Sequence, residues 1–183
     1  MKRKSAKELL VDSFRELAMT RSFDKISTHD ITENCGYSTA TFYRQFRDKY
    51  DLVAWAYCQD TEQIFNTSEN SNRSIKEILI SAAKYYYNHK AYFANLLLNV
   101  RGFESFMLNM TEVNYKKMLE ILKSAGKEEN LDRYTEMLVR QYVIGMVGFI
   151  CEWIVDKQKA DLDELISVFL DTFPYKLNKY LTT

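Results

Sequence analysis

The chain has 183 residues, of which 46% are hydrophobic and 27% are charged, with one proline and five glycines. So few helix-breaking residues over this length predict an all-α protein of about nine helices. Lys and Arg together number 25, as do Asp and Glu, which excludes a uniformly basic or acidic protein.

The first predicted helix runs from Met1 to about Thr20. Its apolar residues recur at the spacing of one packed face: Leu10, Phe14, Leu17 and Ala18. Four cations cluster at its start: Lys2, Arg3, Lys4 and Lys7. Two explanations stay open for these cations, a solvated helix end or an arm that grips phosphates. Residues 1–49 hold ten Lys or Arg against seven Asp or Glu, so this end of the chain is modestly basic.

The stretch from Ser27 to Lys49 predicts two short helices joined by a tight turn. Ser27 and Asp30 have the spacing of an N-cap residue and a carboxylate, three residues later, that accepts hydrogen bonds from free backbone amides. Gly36 follows the first short helix, and glycine is the residue that most readily adopts the left-handed backbone needed there. The pattern is therefore typical of a helix-turn-helix unit.

The second short helix has an apolar back and a polar front. Ser38 or Thr39 is the predicted cap, and Phe42 and Phe46 lie four residues apart on the inward face. The front carries small, hydroxylated, amide and cationic residues: Thr39, Ala40, Thr41, Tyr43, Arg44 and Gln45. Such a helix fits the DNA major groove. A helical interaction module that does not bind DNA has the same pattern, so that alternative stays open.

The run CGYSTATFYRQFRDKYDL resembles the helix-turn-helix signature of the TetR family of transcriptional regulators. The matching positions are Gly36, Ser38, Thr41, Phe42, Tyr43, Phe46, Lys49 and Leu52, preceded by Phe23, Ile26, Thr28 and Ile31. The resemblance implies a DNA-binding head over residues 1–50 and a helical body over residues 51–183 that dimerises and binds an effector. It implies a ligand-responsive repressor that acts as a homodimer on a palindromic operator in double-stranded DNA. An activator, or a regulator controlled by a protein partner, is the alternative.

The resemblance also implies which side chains contact DNA: Thr28, His29, Ser38, Thr39, Ala40, Thr41, Tyr43, Arg44, Gln45 and Lys49. We expect Tyr43 and Lys49 to hold the phosphate backbone. Thr39, Thr41, Arg44 and Gln45 are expected to face the bases.

Six helices are predicted after the helix-turn-helix unit: 51–65, 75–88, 91–100, 103–124, 131–156 and 161–181. Residues 66–74, NTSENSNRS, contain no apolar side chain and predict a loop between head and body. Residues 126–130 predict a second solvated loop. Pro174 is expected to kink or interrupt the last helix.

The last two helices carry more apolar surface than one packed face requires. The penultimate helix is apolar nearly all round from Tyr142 to Val155, and the last has a broad apolar face from Leu162 to Phe173. Core packing within one chain explains this, as does a homodimer interface, which the resemblance favours. The expected interface residues are Gly145, Gly148, Phe149, Leu162, Ile166, Phe169 and Leu170.

The body is rich in aromatic side chains, which suit a small-molecule pocket and a core equally well. The resemblance implies an effector site, for which the candidates are Tyr86, Phe93, Phe106, Tyr115, Tyr142 and Trp153. The run from Tyr92 to Glu112 resembles a subgroup related to activators of dihydroxyacetone-kinase operons, in which the body meets a partner protein. The effector is therefore an unknown small molecule or a partner protein.

The sequence carries no signature of catalysis or metal binding. It has no Gly-rich phosphate loop and no HExxH motif, and its two histidines and three scattered cysteines lack metal-ligand spacing. We therefore expect no enzyme activity, metal or cofactor. The start is amphipathic rather than a signal peptide, and the longest apolar run, Tyr142 to Cys151, is too short to span a bilayer. A cytoplasmic protein without a membrane partner is expected.

Overall fold

The computed structural model describes residues 4–65, 73–99, 103–127, 129–157 and 159–180. Within these ranges the chain forms nine α-helices and two 3₁₀ helices, and no β-strand. The α-helices are α1 (Ala6–Ala18), α2 (Thr28–Asn34), α3 (Thr39–Gln45), α4 (Lys49–Phe65), α5 (Ile75–Asn88), α6 (Lys90–Asn99), α7 (Phe103–Gly126), α8 (Arg133–Ile154) and α9 (Leu162–Asp171). The 3₁₀ helices are Phe23–Lys25 and Tyr175–Tyr180. The predicted all-α fold is confirmed.

Local capping decides where several helices begin. Four of them start with a side chain and a carboxylate that cap each other's backbone amides: Ser5 with Glu8, Ser27 with Asp30, Ser74 with Glu77, and Asp161 with Glu164. The start predicted for α1 at Met1 is wrong, because Ser5 has extended backbone and caps a helix that begins at Ala6. Lys2 and Arg3 of the predicted basic arm lie outside the described residues.

Pro174 divides the last predicted helix, as expected. α9 ends at Asp171, and a 3₁₀ helix follows in which the Leu177 amide donates to the Pro174 carbonyl at 2.7 Å. Proline has no N–H and its ring cannot continue the preceding helix, so residues 161–181 do not form one helix. Residues 66–72 of the predicted loop between head and body lie outside the described ranges.

The N-terminal helices α1, α2 and α3 pack around one apolar core together with α4. Six of its side chains have no exposed surface: Leu10, Phe14, Phe23, Ile31, Phe42 and Leu52. The Phe14 and Phe23 rings meet edge to face at 5.9 Å. The predicted inward face of α1 is confirmed, because Leu17 and Ala18 are also buried.

A partly buried ion pair between α1 and α4 also connects these helices to α5 and α6. Arg15 of α1 donates to Asp60 of α4, whose side chain is nearly inaccessible, and also to the Ala56 carbonyl at 3.4 Å. Tyr85 of α5 donates its hydroxyl to Asp60, and Tyr92 of α6 shares a hydrogen bond with Arg15. Burial raises the pKa of Asp60 and the Arg15 charge opposes that rise. Four helices therefore meet at one polar cluster.

A single amide side chain makes a second connection between the two parts. Asn95 of α6 accepts from the Phe23 amide at 2.8 Å through Oδ1. Its Nδ2 donates to the carbonyls of Ala18 and Arg21, both at 2.8 Å. Asn95 thereby satisfies three backbone groups that the end of α1 and the following turn leave open. The predicted boundary between residues 50 and 51 falls within the first turn of α4, and the division into two domains stays a prediction.

Within the described ranges, α8 is the helix long and apolar enough to cross a membrane, by length and composition alone. Half of its most apolar window is buried inside the fold, as in a core helix. Side chains on its inner face include Val139, Val143, Val147, Ile150 and Trp153.

Candidate nucleic-acid interface

The turn between α2 and α3 depends on Gly36. Its φ of +71° lies in the left-handed region, although an added Cβ would meet no atom within 4 Å. Glycine is therefore needed for its backbone angle rather than for space. The Tyr37 amide donates to the Thr32 carbonyl at 2.9 Å, which closes the end of α2 before the chain enters α3.

Helix α3 presents a polar face to solvent. Ser38 caps it by accepting from the Thr41 amide at 3.2 Å, and Phe42 turns inward with no exposed surface. Tyr43 is 59% exposed although it is aromatic. The other exposed members of the predicted DNA-contacting set in this region are Ser38, Thr39, Ala40, Arg44 and Gln45. Phe46 is the C-cap residue and is buried.

The predicted outward placement of Thr41 is wrong. Thr41 is only 8% exposed, and its hydroxyl lies 3.1 Å from Ser38 Oγ. Arg44 Nη2 donates to the same Thr41 hydroxyl at 3.1 Å. Helical spacing explains both contacts, because Thr41 lies one turn after Ser38 and one turn before Arg44.

The predicted phosphate contact of Lys49 does not fit its surroundings. Its ammonium donates to the carbonyls of Phe23 at 2.8 Å, Ile26 at 2.9 Å and Asp24 at 3.3 Å. It also lies 4.4 Å from the centre of the Phe23 ring. Burial lowers the pKa of Lys49, and the Asp24 charge opposes that change. Lys49 therefore holds the start of α4 against the first 3₁₀ helix.

Two cations of the predicted basic arm also serve the fold. Lys7 lies 5.0 Å from the centre of the Phe46 ring and 4.9 Å from the Trp55 ring. Lys4 pairs with Asp12 at 2.6 Å. These contacts hold Lys7 against the helix-turn-helix unit, whereas Lys4 is exposed just before α1.

The start of α2 places two further candidates beside α3. His29 is exposed, with Nδ1 3.7 Å from the Glu33 carboxylate, whereas Thr28 is half-buried. Hydrogen bonds from Ser27, followed by the Arg21 guanidinium, hold the pKa of Asp30 below its usual range. The carboxylate that caps α2 is thus used within the fold, and His29 remains accessible.

Arg47 is a cation that the sequence-based set of DNA contacts omitted. It follows Phe46, the C-cap residue of α3; its side chain is 87% exposed, and its guanidinium lies 3.9 Å from Asp51. The Arg47 amide donates to the Asp51 carboxylate at 3.0 Å, which fixes the backbone and leaves the side chain in solvent. A basic residue immediately after the exposed helix was the available signal.

Three of the six candidate effector residues lie together. Tyr86, Phe93 and Phe106 surround Tyr57 of α4, and all four side chains are buried. The Tyr86 and Phe93 ring centres are 5.3 Å apart, and those of Tyr57 and Phe106 are 5.8 Å apart. The Tyr57 and Tyr86 hydroxyls are 2.7 Å apart, and Asn114 donates to Tyr57. This group is called the Tyr57 cluster below.

The other three candidate effector residues lie in separate surroundings. Tyr142 packs against Phe173 at 5.3 Å and donates its hydroxyl to the Phe169 carbonyl. Trp153 stacks on Tyr87 and donates to the Ala160 carbonyl at 2.9 Å. Tyr115 of α7 lies beneath the guanidinium of Arg140 from α8. The six candidates therefore lie in different surroundings, and their role in effector binding stays a prediction.

An apolar groove separates α8 from α9. It has a volume of about 470 Å³ and is lined by Leu138, Gln141, Tyr142, Gly145, Met146, Phe149, Val168, Phe169, Thr172 and Pro174. Gly145 is exposed, and Gly148, Phe149, Leu162, Ile166 and Leu170 are half-buried. Phe169 lines the groove but is only 1% exposed in the single chain, and its place in an interface between chains stays a prediction. Large apolar side chains continue along the exposed face of α8: Tyr134, Met137 and Ile144.

Two family models match the chain. The model described as bacterial regulatory proteins, tetR family, matches residues 10–55, and that of a transcriptional regulator C-terminal region matches residues 73–174. A curated protein, the HTH-type dhaKLM operon transcriptional activator DhaS of Lactococcus lactis subsp. lactis, is 21% identical over 101 residues. That alignment covers 55% of this chain, and the chain spans only 54% of the length of this relative.

Solved structures share the whole fold at low sequence identity. The dihydroxyacetone kinase operon activator DhaS superposes with a TM-score of 0.66 at 17% identity, covering 96% of this chain and 97% of that one. The TetR family repressor AlkX of a Dietzia species, implicated in biodegradation of n-alkanes, superposes with a TM-score of 0.64 at 16% identity. The superposition covers 99% of this chain and 100% of that one. A TetR family protein from Vibrio parahaemolyticus superposes with a TM-score of 0.51 at 15% identity, covering 92% of this chain and 97% of that one.

Lys49 provides a test of the internal role described above. Lys49→Met keeps most of the length of the side chain but removes three charge-assisted hydrogen bonds, so we expect it to lower the free energy of unfolding by about 1–3 kcal/mol. Arg47→Met, two residues away on an exposed side chain, is expected to change it by less than about 0.5 kcal/mol. Urea denaturation followed by circular dichroism measures both. Equal stabilities of the two variants would contradict the assignment.

Proposed function

The chain belongs to the tetR family of bacterial regulatory proteins, which are DNA-binding regulators of transcription, and we propose that it represses transcription as a homodimer on a palindromic operator. The observation that carries the proposal is the exposed polar face of α3, held on a buried aromatic back and preceded by a glycine turn. Double-stranded DNA is the proposed partner, and the cytoplasm is the proposed compartment.

The proposed contacts differ from the sequence-based set at three positions. Thr39, Arg44 and Gln45 remain the candidates for base contacts, because they are exposed on one short helix that fits the major groove. Tyr43 and Arg47 are the candidates for the phosphate backbone, since both extend into solvent next to that helix. Ser38, Ala40, Thr28 and His29 border this face. Thr41 and Lys49 are assigned to the fold, and Arg47 is added.

Random-sequence selection across several salt concentrations tests this division. We expect the wild type to select a palindrome and to lose affinity steeply as salt rises, because phosphate contacts release counterions. Arg44→Ala or Gln45→Ala should relax the preference at particular base pairs by about 1–3 kcal/mol each, the value of a bidentate contact. Arg47→Ala should weaken all sequences similarly and reduce the salt slope by about one.

Tyr43→Phe is the matched control for the phosphate contacts, because it removes one hydroxyl without changing charge or the packing of the ring. It should weaken binding at every sequence and leave the salt slope unchanged. Failure of the wild type to enrich any sequence would overturn DNA recognition by this surface. Equal, sequence-blind losses from Arg44→Ala, Gln45→Ala and Arg47→Ala would overturn the division of roles.

The groove between α8 and α9 is the proposed dimer interface. Phe149 lines the groove and is only half-buried. Ile166 and Leu170 of α9 are also half-buried, so the chain itself leaves these apolar side chains partly uncovered. Gly145 and Gly148 face open space, so another backbone has room to approach there. A homodimer also brings two short recognition helices to two half-sites, which multiplies the contacts of one helix.

Gly148→Leu tests the interface with little effect expected on the single chain. A Cβ at Gly148 meets no atom within 4 Å, so a clash of the larger side chain is expected to come from the partner. We expect the variant to be folded and monomeric in sedimentation at a micromolar concentration where the wild type is dimeric. Asn88→Leu, which adds a leucine at an exposed position of α5, is the control and should remain dimeric. A monomeric wild type would rule out the dimer.

The Tyr57 cluster is the proposed place where an effector acts. It joins α4 to α5, α6 and α7, and α4 begins beside α3 and the first 3₁₀ helix. A small molecule or partner protein that separates these rings would shift α4, and with it the exposed helix. Such an effector controls DNA binding only if it prefers the arrangement that cannot bind DNA.

Activation is the second candidate for the direction of regulation. Activation is favoured by one observation, that a curated relative and a similar structure are both described as an operon activator. We expect repression, so expression of the protein should lower the output of a reporter with the selected operator at its promoter. The Arg44→Ala, Gln45→Ala double variant is the control and should leave the reporter unchanged. Higher output with the wild type would establish activation instead.

A further inference from the structure

Thr41 links the cap of α3 to the guanidinium of Arg44. Its hydroxyl oxygen lies 3.1 Å from Ser38 Oγ and 3.1 Å from Arg44 Nη2. The Thr41 amide donates to Ser38 Oγ at 3.2 Å, and Thr41 is 8% exposed. A buried hydroxyl therefore stands between the start of the helix and an exposed cation near its end.

Hydrogen-bond chemistry fixes the direction of the contact with Arg44. A guanidinium only donates, so the Thr41 oxygen accepts from Arg44. Thr41 is itself buried, its hydroxyl lies against Ser38 Oγ, and Phe42 beside it has no exposed surface. The acceptor for Arg44 is therefore held by the fold and is not a mobile surface group.

The contact restricts the orientation of Arg44 before any ligand arrives. One N–H of the planar guanidinium is occupied by Thr41, and the other N–H donors remain for a base. Bidentate recognition of guanine needs this plane in one orientation, and an oriented side chain loses less entropy on binding. Arg47 lacks such a constraint in its side chain, which is 87% exposed and 3.9 Å from Asp51.

We propose that Thr41 is a positioning residue that orients Arg44 for base recognition. Thr41 itself contacts no base and determines specificity through Arg44. The inference rests on the proposed function, since it requires α3 to lie against base pairs. Its chemical target is the major-groove edge of guanine, whose O6 and N7 accept the paired donors of arginine.

The test compares base preferences of the full-length wild type and Thr41→Val on random DNA. Valine has the shape of threonine and lacks the hydroxyl, so Arg44 loses its acceptor while the buried volume is kept. We expect preference at the Arg44-dependent base pair, identified with Arg44→Ala, to fall roughly two- to tenfold, the worth of one hydrogen bond. Preferences elsewhere in the site and affinity for unrelated DNA should stay unchanged.

Two further variants separate positioning from a structural role. Thr41→Ser restores the hydroxyl and should restore the preference, and Thr41→Val should have no added effect when Arg44 is already alanine. Should the valine variant fail to fold, Thr41→Ala compared with Thr41→Ser gives the same contrast.

Three results would overturn the inference. Thr41→Val could keep the full preference, or it could weaken every sequence equally, which is the result of a purely structural role. Additive losses in the Arg44→Ala background would also exclude action through Arg44. A wild type that selects no sequence is a different outcome, because it removes the proposed function and the inference with it.

Discussion

The position of the helix-turn-helix unit depends on one buried carboxylate, Asp60 of α4. A carboxylate that is 4% exposed is costly to bury unless it is paired and hydrogen-bonded. Arg15 supplies the charge from α1, and Tyr85 supplies a hydrogen bond from α5. Removal of either neighbouring helix would leave Asp60 without one of these partners. The N-terminal helices are therefore fixed to the helices that follow by the need to satisfy this group.

The same arrangement explains how events in the later helices could reach α3. Asn95 of α6 binds three backbone groups at the end of α1 and the adjoining turn, and Tyr57 ties α4 to the aromatic rings of α5 and α6. Lys49, at the start of α4, is bound to the carbonyls around Phe23. A shift of α4 or α6 must therefore move the helix-turn-helix unit or break these contacts. That two-part linkage is what a regulator needs if occupancy of one part is to change DNA affinity at the other.

Three of the ten cations that make the N-terminal stretch basic are used inside the fold. Arg15 pairs with Asp60, Lys7 lies over two aromatic rings, and Lys49 binds three carbonyls. Arg44 and Arg47 remain on the exposed face beside α3. Two exposed cations, rather than a larger basic cluster, are therefore the proposed DNA contacts beside α3, and the orientation of Arg44 matters more for the proposed recognition.

The sequence by itself determined the features that depend on neighbours within about four residues. Ser27 with Asp30, Gly36 and Pro174 set where helices begin, turn and end, because caps, left-handed glycine and the missing proline N–H act locally. The tertiary structure decided how polar and aromatic side chains are used. The partners of Lys49 lie 23 to 26 residues earlier in the chain, so no local pattern could show that its ammonium is engaged. The six candidate effector aromatics were likewise divided by the way their helices pack, because aromatic composition gives the amount of buried surface and not its position.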